Sequence, residues 1–329
     1  MMKTLILALS LSGLALTGCA TKDVPTQLAT EMADSYITPS DYVHHRAQQQ
    51  LFDTGMGKIA FTDHGPQVAN APTIVLLHGV PTSSWMYRKL VPSLQQNMRV
   101  ITVDHLGYGS SEKPKRDEAD YSAAAQARRV GALLASRGVS HYSVLMHDMG
   151  GLVAWEMLAR NPDAIDNLVV LNTIVDDHGF EQPEFDVGVF AKKLFQAYTS
   201  SLTSEVILDR TFSDLGLKGE HKLSEEECYG YVRPMREGAD HALYSFFTNI
   251  NDDLFADLKL KQAMWPSYKG KVMVMWGAKD EILTTEQIPI LKTAFNIPDD
   301  DIHIYEDNAH FLAEEIPDEI AAKISAFVQ

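Results

Sequence analysis

Cysteine is nearly absent from this chain. Two occur in 329 residues, Cys19 and Cys228, so a fold stapled by several disulfides is excluded. Cys228 stands among Glu225, Glu226 and Glu227; negative neighbours disfavour the thiolate, and the residue reads as a bystander. Basic charge is scarce as well. Lys and Arg total 28 against 44 Asp and Glu, a formal net charge of −16, which argues against nucleic acid or an anionic membrane surface as partner. No internal repeat, low-complexity segment or metal-ligand spacing appears, so neither a cofactor nor a metal is expected. What remains is the composition of a soluble globular protein, 45% apolar and 22% charged. Its length allows two domains or one large α/β domain.

The N-terminus reads as a sorting signal. Lys3 supplies a short basic region, and the apolar run Leu5 to Leu16 is too short to span a bilayer comfortably. It ends in Leu16-Thr17-Gly18-Cys19, which resembles the bacterial lipobox. That resemblance implies a signal peptide over 1–18 and lipidation of Cys19, which would leave Cys228 with no partner in the chain. Residues 19–41, polar and carrying Pro25 and Pro39, read as a tether that lifts a catalytic body off the membrane. Ala20 after the Cys resembles the signal for outer-membrane delivery, so the expected location is the cell envelope, on the periplasmic side.

The rest of the chain is organised around Tyr142 to Gly151, Y-S-V-L-M-H-D-M-G-G. A short apolar run, a turn of small residues and then helical spacing (Leu152, Val153, Trp155, Leu158) outline a nucleophile elbow. Such a turn holds one side chain on a strained corner at the top of a sheet. Gly150, two past the tip, lets strand and helix approach closely. The tip is Asp148 rather than Ser. A carboxylate is ionised at neutral pH and can attack carbon directly, with no base to deprotonate it. The bland alternative is an ordinary strand-to-helix turn with Asp148 as N-cap.

Strand and helix signals alternate around this stretch. Leu51 to Phe61, with Gly55 and Gly57, reads as a hairpin. Thr73–Leu77, Val100–Val103, Val144–Met146, Asn167–Asn172, Val272–Trp276 and Ile302–Tyr305 read as strands. Trp85–Leu94 and Tyr121–Ser136 have helical spacing, with further helices near Glu286 and Pro317. Alternation of this kind means a mostly parallel sheet with helices on both faces. Active sites of such sheets lie at the carboxyl ends of the strands. The stretch 176–265 is rich in aromatics and poor in strand signals and reads as an inserted helical cap. The body is then split into 42–175 and 266–329.

Two more residues complete a catalytic order. Asp280 follows the strand K-V-M-V-M-W through Gly277-Ala278-Lys279, and His310 follows D-I-H-I-Y through a short loop. Nucleophile, acid and histidine in that order match α/β-hydrolases. His310 has the pKa range of a general base, and Asp280 would fix its tautomer. Asp176 and Asp177 are the alternative acids. Backbone N–H groups of Val80, in His78-Gly79-Val80-Pro81, and of Met149 would serve as the oxyanion hole.

The runs H-G-V-P-T-S-S-W-M-Y-R-K-L from His78, D-H-L-G-Y-G-S-S-E-K-P from Asp104, H-D-M-G-G from His147, G-A-K-D from Gly277 and N-A-H-F-L-A-E-E from Asn308 carry a resemblance. They resemble the haloalkane dehalogenase and epoxide hydrolase branch of the α/β-hydrolase superfamily, from about residue 50 to the end. The resemblance implies that fold, an ester intermediate on Asp148, and water activated by His310. Placement of the acid at Asp280, and the run from Tyr229, are similar to one dehalogenase subgroup.

The chain also departs from these relatives. Dehalogenases usually place Trp after the nucleophile, where its indole N–H holds the leaving halide; Met149 has no such donor. Val80 stands where many have Asn or Glu, and no Trp lies in the cap before Trp265. Epoxide hydrolases use two cap tyrosines, and Phe246 stands at the match to the second. Tyr198, Tyr231, Tyr244 and Phe247 are the cap residues expected to face substrate or leaving group. The expected activity is dehalogenase-like hydrolysis of a small, apolar, electrophilic substrate. Epoxide hydrolysis is the first alternative, and a non-catalytic ligand-binding envelope lipoprotein the second. Nothing in the sequence fixes an oligomeric state.

Overall fold

The computed structural model describes residues 40–68, 71–180, 217 and 223–328. Eight strands form one sheet: β1 (Gln50–Asp53), β2 (Lys58–His64), β3 (Thr73–Leu77), β4 (Arg99–Asp104), β5 (Tyr142–Asp148), β6 (Ile165–Thr173), β7 (Lys271–Gly277) and β8 (Ile302–Tyr305). Their order is β1-β2-β4-β3-β5-β6-β7-β8. The first two strands are the expected hairpin, and β2 runs antiparallel to β4. From β4 to β8 every pairing is parallel.

A parallel strand buried on both faces must be apolar along its whole length, and successive side chains must feed opposite cores. β3 does this: Val75 and Leu77 enter one core, Ile74 and Leu76 the other. β6 repeats it with Leu168 and Val170 against Val169 and Leu171. The layers that cover the two faces come from the intervening helices. α1 (Ser40–Gln48) precedes the sheet, and α2 (Ala123–Ser136) and α3 (Met149–Arg160) follow β4 and β5. The first core takes Ala127, Val130 and Leu133 from α2 and Leu152, Val153 and Trp155 from α3.

α2 starts at Ala123 because Ser122 caps it, its hydroxyl accepting the Ala125 N–H at 3.2 Å. The helix expected over Trp85–Leu94 is broken into a 3₁₀ turn, Ser84–Tyr87, and a single α-turn, Val91–Leu94. Pro92 has no N–H to continue a longer helix and is accommodated only at the start of that second turn.

Between β6 and β7 the described residues of the cap form α4 (Glu225–Pro234), α5 (Asp240–Asn249) and α6 (Asp252–Gln262). A reciprocal capping box between Ser224 and Glu227 opens α4. α7 (Ile288–Phe295) and α8 (Pro317–Phe327) complete the body on either side of β8. Ile320 and Ile324 of α8 close the second core.

Charge ties cap to body. Arg88 lies on both Glu227 of α4, at 2.6 Å, and Glu314. Lys89 reaches the same two carboxylates at 2.7 and 2.9 Å. Burial opposes ionisation of Glu227, but the Lys89 and Arg88 partners win and hold its carboxyl down at about 2. Cys228, buried one residue on, is disulfide-bonded, with its partner outside the described residues. The expectation of an unpaired bystander is thus corrected: the flanking glutamates bear on thiolate formation, not on whether another sulfur comes within reach. Among the described residues no helix is long and apolar enough to cross a membrane.

Candidate active site

Asp148 ends β5 in a conformation that side chains seldom adopt, φ 51° and ψ −121°. Backbone strain of this kind persists only where the surroundings over-determine it. Here the neighbours are glycine by necessity. A Cβ on Gly150 would lie 2.3 Å from the Leu77 carbonyl oxygen, and one on Gly79 would lie 2.3 Å from the Asp148 Cβ. The elbow is held from behind by Thr173, whose hydroxyl donates to the Asp148 carbonyl at 2.7 Å.

The Asp148 carboxylate is buried and faces backbone donors. Val80 N–H donates to Oδ1 at 2.7 Å, and Met149 N–H also bonds the carboxylate. The loop carrying Val80 is anchored by His78. Its Nε2 accepts the His105 N–H at 3.0 Å, so Nδ1 carries the proton and donates to the Gly79 carbonyl at 2.8 Å. Burial raises the Asp148 carboxyl above the usual carboxylate range, and this outweighs the stabilising pull of His310, Val80 and Met149.

His310 lies across from the carboxylate, its Nε2 4.0 Å from Oδ2. Its Nδ1–H donates to Asp280 at 2.7 Å. Burial alone would lower the imidazole pKa; the charges of Asp280 and Asp148 outweigh it and hold His310 above its ordinary value. Asp280 spends its other lone pairs on the Ile282 and Leu283 N–H groups at 2.9 and 3.0 Å. It also accepts from Asn172 Nδ2 at 2.8 Å.

Asp148, Asp280, His310, Val80 and Met149 are therefore brought to one place at the carboxyl ends of β3, β5, β7 and β8. Asp176 and Asp177 are not. Asp176 is occupied by Gln262 and the His178 N–H at 3.1 Å each, and Asp177 pairs with Lys259 at 2.9 Å.

Three supporting residues were missed in the sequence. Asn172 bridges β6 and β7, accepting the Gly277 N–H at 2.9 Å while donating to Asp280. His147 donates through Nε2 to the His310 carbonyl at 2.8 Å. Glu315 accepts from Asn308 Nδ2 at 2.6 Å and fixes the loop that presents His310. Asn172 and His147 each sit beside a strand end, which was the available signal. Nothing in sequence marks which of many polar residues turns inward.

The cap residues separate. Tyr198 lies outside the described residues. The buried Tyr231 hydroxyl donates to Glu314, within the ion cluster of Arg88 and Lys89. Tyr244 is buried with the Arg116 guanidinium 4.5 Å from its ring centre. Phe247 is half-buried and packs edge-on against Phe246 at 5.3 Å.

Residues 72–317 match the model of a protein family described as the alpha/beta hydrolase fold. This chain belongs to that family. Within the α/β-hydrolases it is 27% identical over 278 residues to a cis-3-alkyl-4-alkyloxetan-2-one decarboxylase of Shewanella oneidensis, covering 78% of this chain and 81% of the relative. It is 26% identical over 296 residues to a haloalkane dehalogenase of Mycolicibacterium paratuberculosis, covering 88% and 93%. It is 24% identical over 274 residues to epoxide hydrolase 3 of Xenopus tropicalis, covering 78% and 71%. The chain is thus an enzyme of the α/β-hydrolase kind.

Proposed function

We propose that this α/β-hydrolase uses Asp148 as a nucleophile. Its carboxylate attacks an electrophilic carbon of a small apolar substrate and forms an ester. A water activated by His310 then attacks the ester carbonyl. Donors at Val80 and Met149 face the carboxylate before reaction and stabilise the oxyanion that develops there.

One observation carries this reading: a buried carboxylate on the strained elbow faces two backbone donors on one side and His310, oriented by Asp280, on the other. A serine hydrolase would hold a hydroxyl at this corner. Esterification also switches the base on. It removes the Asp148 charge that helps hold the His310 pKa up, so the imidazole becomes neutral when its proton-accepting role begins.

The first substrate class is the haloalkane, on the similarity to the dehalogenase. A second reading is favoured by Met149, which offers no side-chain donor to a departing halide. An electrophile whose leaving oxygen stays tethered in a strained ring needs no halide site. Two of the relatives are named for substrates of that kind, an oxetanone and an epoxide. A receptor without turnover would have no need of the Asp280–His310 pair. The N-terminal sequence supports a lipid anchor at Cys19 in the cell envelope; the chain has no third cysteine, so lipidation of Cys19 requires Cys228 to be free of its disulfide.

The test is turnover of a panel of haloalkanes, epoxides and β-lactones by the purified chain and by Asp148→Asn. Turnover of one class, lost in the variant, supports the reading. Equal turnover by both would refute it.

A further inference from the structure

We propose that Tyr108 is a further catalytic residue, whose phenol donates its proton to the oxygen leaving a strained ring. The proposal rests on the reading that Asp148 forms the ester.

Tyr108 lies on the loop after β4, and its side chain is 2% exposed. Its hydroxyl is wholly buried and has no hydrogen-bond partner among the described residues. A buried hydroxyl left unpaired is destabilising, and such groups in native proteins call for an explanation. Two tyrosines in or against the same apolar cluster have partners: Tyr87 donates to the Leu77 carbonyl at 2.9 Å, and Tyr121 donates to the Pro114 carbonyl.

Position points the same way. The Tyr108 ring packs edge-on against His78, centres 5.5 Å apart, and His78 leads directly into the oxyanion loop. Tyr108 shares one apolar cluster with Val80, Met149 and the cap residues Leu217, Ala242 and Leu243. Its hydroxyl also feels the charge of Asp148. The body thus supplies an O–H donor near the nucleophile, while the cap phenol of Tyr231 is spent on Glu314.

The step balances. Asp148 forms a C–O bond to the ring carbon, and the ring C–O bond breaks. The electron pair goes to the ring oxygen, which takes the Tyr108 proton. Water then adds to the ester carbonyl and His310 takes one of its protons. The tetrahedral adduct collapses, the acyl C–O bond breaks, and the departing alkoxide takes the second proton of that water, which restores the Asp148 carboxylate. The proton on His310 returns to the phenolate. Burial and the Asp148 charge raise the Tyr108 pKa well above the ordinary value. The phenol is therefore protonated at neutral pH and carries the proton that the ring oxygen takes.

The experiment compares wild type with Tyr108→Phe on a terminal epoxide and a 1-iodoalkane of equal length. The rate of adduct formation on Asp148 is read in single turnover. The ratio of epoxide to iodoalkane rate should fall roughly a hundred- to ten-thousandfold, because iodide leaves without a proton. Thermal stability should hold or rise, since an unpaired hydroxyl is removed. An unchanged ratio, or equal loss on both substrates, would overturn the proposal while leaving Asp148 in place. Failure of wild type to form an Asp148 adduct with either probe would remove the reading beneath it.

Discussion

His310 and Asp148 face each other across 4.0 Å, a gap too wide for a hydrogen bond. On its other edge the same ring is held at 2.7 Å by Asp280. His310 is thus fixed by Asp280 and left disengaged from Asp148. Such a spacing suits the proposed reaction, in which the carboxylate reacts without losing a proton and His310 serves the later water.

The opposing shifts of the two groups set a pH dependence. In the proposed reaction Asp148 must be ionised to attack, and its pKa is raised by burial. The acid limb of kcat/KM should therefore lie above the usual carboxylate value. His310 must be neutral in the ester, where it has lost the Asp148 charge. Its pKa by NMR should be above the usual imidazole value in the free enzyme and lower in a trapped ester. The same shift bears on stability. A carboxyl with a raised folded pKa contributes stability below its unfolded pKa and loses it as pH rises through the folded value. Asp148→Asn should therefore raise Tm at pH 7, with the gain shrinking toward pH 4.

Asn172 should prove a positioning residue. Asn172→Ala removes a donor to Asp280 and strands the buried Gly277 N–H. A destabilisation of about 1–3 kcal/mol is expected from the unpaired group. Ester hydrolysis should slow roughly tenfold as Asp280 loses a fixed orientation, with adduct formation nearly unchanged. Denaturant unfolding and single-turnover kinetics measure the two effects separately.

Much of this fold is legible in the chain because parallel strands buried on both faces leave uninterrupted apolar runs. Thr73–Leu77 and Ile302–Tyr305 have the limits expected from sequence. Asp148, Asp280 and His310 are visible for a related reason: each follows a strand end through a short turn. What sequence hides is the partner of each polar group. Asp280 is preferred over Asp176 by its place after a strand end, but that Gln262 occupies Asp176 is not readable from the chain. The sequence offers Tyr231 as a residue for substrate, whereas its hydroxyl is held by Glu314, 83 residues away. The Trp85–Leu94 break shows local chemistry overriding periodicity, since Pro92 allows helix only on its C-terminal side.

The leaving group should be the weak point of any dehalogenase activity. A charge-assisted hydrogen bond is worth about 1.5–3 kcal/mol, so an added indole N–H could speed halide release roughly ten- to a hundredfold. Met149 is buried, and overpacking by the larger ring costs about 1–3 kcal/mol. Met149→Trp should therefore raise halide release from a 1-bromoalkane while lowering Tm. Fast wild-type release that Met149→Trp does not improve would show that another group holds the halide.

Anchoring is tested at Cys19. One sulfur cannot hold both a lipid thioether and a disulfide, and the chain has two cysteines. Cys19→Ser should release the protein from membrane fractions, and intact mass of the wild type should show the lipid. A wild-type mass without lipid, or a Cys19→Ser protein that stays with membranes through a high-salt wash, contradicts the anchor.

The central claim is carboxylate attack, and trapping the ester tests it most directly. Removing the base should stop hydrolysis of the ester but not its formation. His310→Ala, mixed with a substrate that the wild type turns over, should gain the mass of one substrate-derived group. Peptide mapping should place that group on Asp148, and Asp148→Asn should gain nothing. An adduct on any other residue, or none with a substrate that the wild type consumes, would contradict the account.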